Sequence, residues 1–247
     1  MFAKSFPLNP FLESVADRIR ERVKGLTGVE SLELAPDLKN IYGKTDGEDF
    51  FIFNELHQSR GFRKLHIETA VFEPSLEILH VVFFPDPAFD LPIFGVDLIA
   101  VPQGISAAIV DLSPVRDKLP RTIENQLAQI EIPSFEKVRK LPDWGDIFSS
   151  HVQFITPIGA EENGFFLDLV DKFLTILIDY SESIEPDLDD SPFTIERIEG
   201  QMYYCLQQKQ NDKTRNVLAK AFSPNWANQY IEMVLFDMPV HTKNLDN

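Results

Sequence analysis

Apolar positions change their spacing several times along the chain. Behind Asn9-Pro10, residues Phe11, Leu12, Val15, Ile19 and Val23 recur at steps of three and four. That spacing predicts a capped amphipathic helix ending at Gly25. Its polar side holds Arg18, Arg20, Arg22 and Lys24, the pattern of an ordinary solvated face. From about residue 48 to 112 the period shortens to runs such as DFFIFNE, FRKLHIETAVF, LEILHVVFF, IFGVDLIAV and ISAAIVDLS. The spacers EPS, PDPAFDLP and PQG are turn chemistry, so neighbouring strands are expected to pair antiparallel as a meander. The middle strands are apolar on both faces, which implies a sheet covered on both sides.

After residue 113 helical spacing returns. Pro120 opens RTIENQLAQIE, HVQFITPI (151–158) is a candidate sixth strand, and 164–180 reads as a strongly buried helix. SESIEPDLDD (181–190) reads as a mobile, solvated acidic loop. A long helical region is expected over 193–222, and Ser223-Pro224 caps a last helix with a stripe of Trp226, Tyr230, Met233 and Val234. With no internal repeat or linker, the expectation is one α+β domain over 1–247. Its parts are an N-terminal helical segment (1–47), a mainly antiparallel sheet with a helical insertion (48–158), C-terminal helices (159–237) and a tail (238–247). The layers predict a three-layer α/β/α sandwich with a central antiparallel sheet.

Charge narrows the function classes. The 247 residues carry 23 Lys+Arg against 39 Asp+Glu, a formal net charge of −16. A polyanionic partner needs a basic surface, so nucleic acid and anionic membranes are not expected partners. The single Cys205 excludes an internal disulfide framework and any Cys-based zinc or iron–sulfur site, and it suits a reducing cytosol. The start lacks the long apolar core of a signal peptide, and no run approaches about 18 uninterrupted apolar residues. A cytoplasmic, acidic globular protein is expected.

The predicted strands hold polar residues where a core is expected. His66 and Glu68 are two apart and so share one face of a strand. His80 interrupts LEILHVVFF, and Asp97 interrupts IFGVDLIAV. A turn centred on Pro74 sets Glu68 opposite His80, and a loop centred between Pro85 and Pro92 sets His80 opposite Asp97. The three would form one row across adjacent strands about 4.8 Å apart. The same reasoning over PQG places Ala108 opposite Asp97, with Gly95, Ala108 and Ser106 on that face leaving room for a flat ligand. A slip of one residue or a bulge would scatter the row.

One buried His or Asp is usually a satisfied core residue, but several in one row point to a site. Burying ionisable groups costs several kcal/mol, roughly, unless they are paired or used. Two chemistries compete. Two His and two carboxylates could hold a metal as in a 2-His-1-carboxylate oxygenase, although the spacing of His66, Glu68 and His80 is not specific to such sites. Alternatively the row is a metal-free set of proton donors facing a planar organic substrate. G-x-G-x-x-G, G-x-x-x-x-G-K-[ST] and G-x-S-x-G are all missing, so electrons for any redox step would come from outside.

Seven segments in order carry a family resemblance: FRKLHIETA (62–70), LEILHVVFFPDP (76–87), LPIFGVDLIA (91–100), ISAAIVDLSP (105–114), LPDWGDIFS (141–149), QQKQNDKTR (207–215) and VLFD (234–237). Over roughly residues 56 to 237 the chain resembles the ferredoxin-dependent bilin reductases. The resemblance implies an α/β/α sandwich holding biliverdin IXα between the sheet and the C-terminal helices. It implies four one-electron transfers from reduced [2Fe-2S] ferredoxin, without a bound metal, flavin or nicotinamide. The product would be phycocyanobilin, formed through an 18-vinyl-reduced intermediate and bilin radicals.

The same resemblance assigns the proton-donor Asp to Asp97, the reactive His to His80, the exovinyl proton donor to Glu68 and a supporting His to His66. It places Asn211, Asp212 and Lys213 on a helix across the pigment and gives Lys213 and Arg139 the propionates. A two-point guanidinium and a point-charge ammonium suit carboxylates. Ser106 would line the pigment site. Retaining both Glu68 and His80 favours the phycocyanobilin branch over the phycoerythrobilin-forming ones. A non-catalytic bilin-binding protein is the alternative outside catalysis. The family is expected to act as a monomer in transient electrostatic contact with ferredoxin, through Arg139, Lys140, Lys209, Lys213, Arg215 and Lys220. Asn216 stands where a second basic residue is expected after Arg215.

Overall fold

The computed structural model describes residues 7–45 and 47–239; the ends of the expected N-terminal segment and tail lie outside the described residues. Helix α1 (Pro10–Lys24) starts where Asn9 accepts a hydrogen bond from the Phe11 amide and stops at Gly25. Strand β1 (Glu30–Ser31), the single turn α2 (Pro36–Lys39) and β2 (Asn40–Thr45) follow. The segment expected as helical over 1–47 thus carries two short strands beside its helices. NIYGKT is too short and too polar to announce a strand, and pairing with β3 makes it one.

The meander β3 (Glu48–Ser59), β4 (Phe62–Phe72), β5 (Leu76–Pro85), β6 (Ile93–Val101) and β7 (Gly104–Ser113) forms as its turns predict. β8 (Gln153–Ile155) adds to β7 as the anticipated sixth strand of this set. The order in the sheet is β1-β3-β4-β5-β6-β7-β8, with β2 also paired to β3, and all pairings are antiparallel.

Alternation along the strands divides the core in two. Leu65, Ile67, Leu79, Val81, Phe83, Phe94, Val96 and Leu98 pack beneath α1, α3 (Arg121–Leu127) and α4 (Gly159–Ser183). Ile52, Ala70, Val82 and Phe84 face the C-terminal layer of α5 (Pro192–Gln208), α6 (Asp212–Ala221) and α7 (Pro224–Tyr230). This is the three-layer sandwich that the pattern predicts. On the first side the basic residues of α1 are not merely solvated. Arg22 grips Asp171 of α4 with two bonds of 2.8 Å from Nη2, and Arg20 reaches Glu55 of β3 at 2.8 Å.

Three further expectations change. The region 193–222 is two helices, because Asn211 caps α6 by accepting from the Lys213 amide at 3.2 Å. The acidic loop 181–190 is held rather than loose. Its first residues belong to α4, Arg60 binds the carbonyls of Ser181 and Ile184, and Asp187 pairs with the buried Arg197. Met233 leaves the predicted stripe and is exposed, because after Tyr230 the chain widens into a π-turn over Ile231–Leu235 that rotates it outward.

Candidate active site

Register on the C-terminal face builds the site. Glu68 lies opposite His80, and His80 lies opposite Asp97, so the row is assembled across β4, β5 and β6. Beyond Asp97 the expectation is corrected, because its partner on β7 is Ile109 rather than Ala108. Between the pairs Ile99↔Ala107 and Ala100↔Ile105 the extra residue Ser106 forms a bulge, and its Oγ donates to the Ile99 carbonyl at 3.1 Å. The bulge turns Ala108 into the opposite core. Gly95 does share the face of Asp97, and the hydroxyl of Tyr204 from α5 stands 3.5 Å from where its Cβ would be.

Each member of the row sits in a different environment. His80 Nδ1 and Asp97 Oδ1 are 2.5 Å apart, with the Asp97 side chain 43 % exposed and that of His80 13 %. Burial alone would lower the His80 imidazole, but Asp97, its hydrogen bond and Glu68 together raise it. His66 is fully buried, and burial, aided by Lys64 and His80, holds it well below the ordinary imidazole range. Burial pushes the Glu68 carboxyl up; His80 and Tyr230 counter part of this and Asp97 adds to it. The site thus holds an imidazole biased toward its cation, a second biased toward its neutral form and a carboxyl biased toward its acid form.

Neighbours on other elements complete it. His66 Nε2 meets Asn54 Oδ1 of β3 at 2.8 Å, and the two imidazole rings are 6.0 Å apart. His66 Nδ1 and His80 Nε2 have no hydrogen-bond partner among the described residues. Tyr230 of α7 reaches Glu68 Oε2 at 2.5 Å and Asn54 Oδ1 at 2.9 Å. Phe236 stands edge-on to His80 with centroids 5.7 Å apart. That ring is placed by Lys64, whose buried ammonium donates to the carbonyls of Val234 (2.9 Å) and Leu235 (3.2 Å) and pairs with Asp237.

The residues expected to bind substrate are dispersed. Arg139 donates to the Ser106 carbonyl at 2.8 Å, beside β8. Lys213 and Asp212 are exposed on the first turn of α6, and Asn211 is its cap. Arg215 is committed to Asn228 and the Lys209 carbonyl. The sequence reading missed Asn54, Lys64 and Tyr230 as parts of this site. Asn54 had a partial signal: a turn at Arg60-Gly61 brings the neighbouring Phe53 opposite Glu68, and an irregularity between His57 and Ser59 shifts Asn54 into that place. Lys64 also had one, lying two residues before His66 on the same face. Tyr230 had none, since only the packing of α7 on the sheet brings it there.

A family model described as ferredoxin-dependent bilin reductase matches residues 16–237, and the chain belongs to that family. Its relatives are more particular. It is 52% identical over 232 residues to the phycocyanobilin:ferredoxin oxidoreductase of Synechococcus sp. (strain CC9902), covering 94% of each chain. It is 50% identical to the protein of that name from Prochlorococcus marinus (strain MIT 9313), covering 94% of this chain and 88% of that one. Among solved structures, phytochromobilin synthase from tomato, in complex with biliverdin, matches with a TM-score of 0.71 at 16% identity. The match covers 92% of this chain and 82% of that one and shows a shared fold.

Proposed function

We propose that this chain carries out the ferredoxin-dependent four-electron reduction of biliverdin IXα to phycocyanobilin. The observation that carries the reading is the row of Glu68, His80 and Asp97 on one sheet face. Its support comes from relatives about half identical that bear that enzyme's name. Four electrons arrive singly from reduced [2Fe-2S] ferredoxin, and four protons are taken up with them. Two of each saturate the D-ring vinyl group and give the 18-vinyl-reduced intermediate; two of each then reduce the A ring.

The first electron makes the pigment a radical anion whose oxygens and vinyl carbons are strongly basic. The donor standing nearest a given atom then decides where the proton goes. Asp97, half exposed and bonded to His80, supplies the proton at the lactam oxygens. Glu68, deeper and biased toward its acid form, serves the D-ring vinyl. His66 supports His80, and Asp212 assists at the A ring. Arg139 and Lys213 hold the propionates, and Ser106 and Asn211 complete the pigment contacts. The enzyme works as a monomer in the cytoplasm, in transient electrostatic contact with ferredoxin. A single free and buried Cys205 suits that reducing compartment.

Anaerobic incubation with biliverdin, ferredoxin and an electron supply tests the reaction. Phycocyanobilin is the expected product. Phycoerythrobilin would move the chain to another branch, and bound but unreduced pigment would make it a bilin-binding protein. Glu68→Gln is expected to stop at the two-electron product, followed by absorption spectra of the bound pigment. Normal phycocyanobilin yield from that variant would remove Glu68 from its role.

A further inference from the structure

Four polar side chains behind the row share too few hydrogens for their contacts to be independent. Asn54 Nδ2 donates to the Leu38 carbonyl at 2.7 Å, which fixes Oδ1 as the end facing the site. That oxygen can only accept. His66 Nε2, 2.8 Å away, must therefore carry the ring hydrogen, leaving Nδ1 as a bare lone pair in the neutral ring. Tyr230 has a single hydroxyl hydrogen and two oxygens within reach, Asn54 Oδ1 at 2.9 Å and Glu68 Oε2 at 2.5 Å.

Two arrangements are conceivable. If Tyr230 donates to a Glu68 carboxylate, the tyrosine oxygen and Asn54 Oδ1 oppose lone pairs at 2.9 Å. If Glu68 carries a proton and donates it to Tyr230, Tyr230 donates onward to Asn54 and every contact holds a hydrogen. Glu68 and Asn54 are 7 % and 1 % exposed, so water does not relieve the first arrangement. We infer that Asn54 and Tyr230 are positioning residues that hold Glu68 as a neutral carboxylic acid, with its proton directed at the tyrosine oxygen.

His80 on β5, Asp97 on β6 and Tyr230 on α7 act on Glu68, while His66 and Lys64 share its face further along β4. Burial and Asp97 favour the neutral acid, while His80 opposes it. The conjugate base is reached only by breaking one contact of the relay. Once Glu68 has given up its proton, the Tyr230 hydroxyl swings from Asn54 to the new carboxylate and donates to it. Asn54 therefore sets the balance by competing for the tyrosine hydrogen. The inference rests on Glu68 being a proton donor, and it adds how that proton is kept in place before the electrons arrive.

Infrared spectra of the purified full chain before pigment is added, taken across a pH series, test it. The carboxylic-acid carbonyl band lost in Glu68→Gln identifies Glu68. The wild-type band is expected at neutral pH. In Tyr230→Phe it persists but moves to higher wavenumber, because the acid has lost its acceptor. In Asn54→Leu, Tyr230 is free to donate to Glu68, and the acid dissociation constant rises about tenfold or more, the worth of one hydrogen bond to a charged group. A wild-type spectrum without the band, with one appearing in Tyr230→Phe, overturns the relay. So does an unchanged midpoint in Asn54→Leu. If Asn54→Leu does not fold, Tyr230→Phe decides alone. Full product from Glu68→Gln would sink the donor role and leave the band assignments standing. A missing band beside a stalled Glu68→Gln enzyme would sink only the relay.

Discussion

Asp97 and Glu68 are both carboxylates on one sheet face, yet their surroundings separate their chemistry. Asp97 is half exposed and bonded to an imidazole whose protonation it favours, so it stands where the row meets solvent. Glu68 is enclosed, only 7 % exposed. Asp97→Asn keeps the size and the contact to His80 but removes the negative charge and the capacity to take up and release a proton. Biliverdin should still bind, seen as a shift in its absorption on titration. Turnover should fall about a hundredfold or more, the usual contribution of a positioned acid or base. His80 should lose its raised protonation in the same variant. Turnover near the wild-type rate would transfer the first proton to another group. At this scale the sequence was informative about which residue types stood out and silent about their states. Those states depend on burial and on partners from distant elements.

Among the elements, helix α5 shows how tightly the C-terminal layer is fixed. A Cβ on Gly200 would lie 1.9 Å from the Val115 carbonyl oxygen, so only glycine lets α5 approach the backbone that follows β7. That closeness lets Tyr204 stand over Gly95 and Gln201 bond the Pro85 carbonyl at 2.9 Å. Gly200→Ala is therefore expected to destabilise the fold by about 2 kcal/mol or more, as overpacking of a rigid contact does. Thermal unfolding measures this, and an unchanged midpoint would show that α5 shifts freely. The β4–β5 and β5–β6 registers were legible because each connection is symmetric about its centre, so opposed residues follow from where the chain turns. The third was not, because one extra residue at Ser106 re-phases β7 without altering its apolar run. The short β2 was hidden for the opposite reason, since its partner β3 defines it more than its own side chains do.

For the molecule as a whole, the excess of acid makes its few cations informative. Arg20, Arg22, Arg63, Lys64, Arg116 and Arg197 are engaged in ion pairs that join layers or clamp loops. Arg139 and Arg215 are likewise bound to neighbouring backbone. Of the cations expected to face ferredoxin, Lys140, Lys213 and Lys220 are exposed. Ferredoxin association should then be fast at low salt and slow as ionic strength rises, since screening acts over about 8 Å at physiological salt. Lys140→Glu should lower kcat/KM for ferredoxin severalfold and flatten that salt dependence. Turnover indifferent to salt would locate docking elsewhere.

By itself the sequence determined the alternation that makes a twice-covered antiparallel sheet, the turns that align Glu68, His80 and Asp97, and the family to which these segments are similar. All of these are local: periodicity, turn length and residue identity act over a few neighbours. Only the tertiary structure decided that Tyr230 and Asn54 close on Glu68, that Lys64 holds the turn bearing Phe236, and that burial biases His66 toward its neutral form while Asp97 biases His80 toward its cation. Those outcomes arise where β3, β4 and the C-terminal helices meet. Burial and partners from far along the chain set the proton positions there, and no short stretch of residues contains that information.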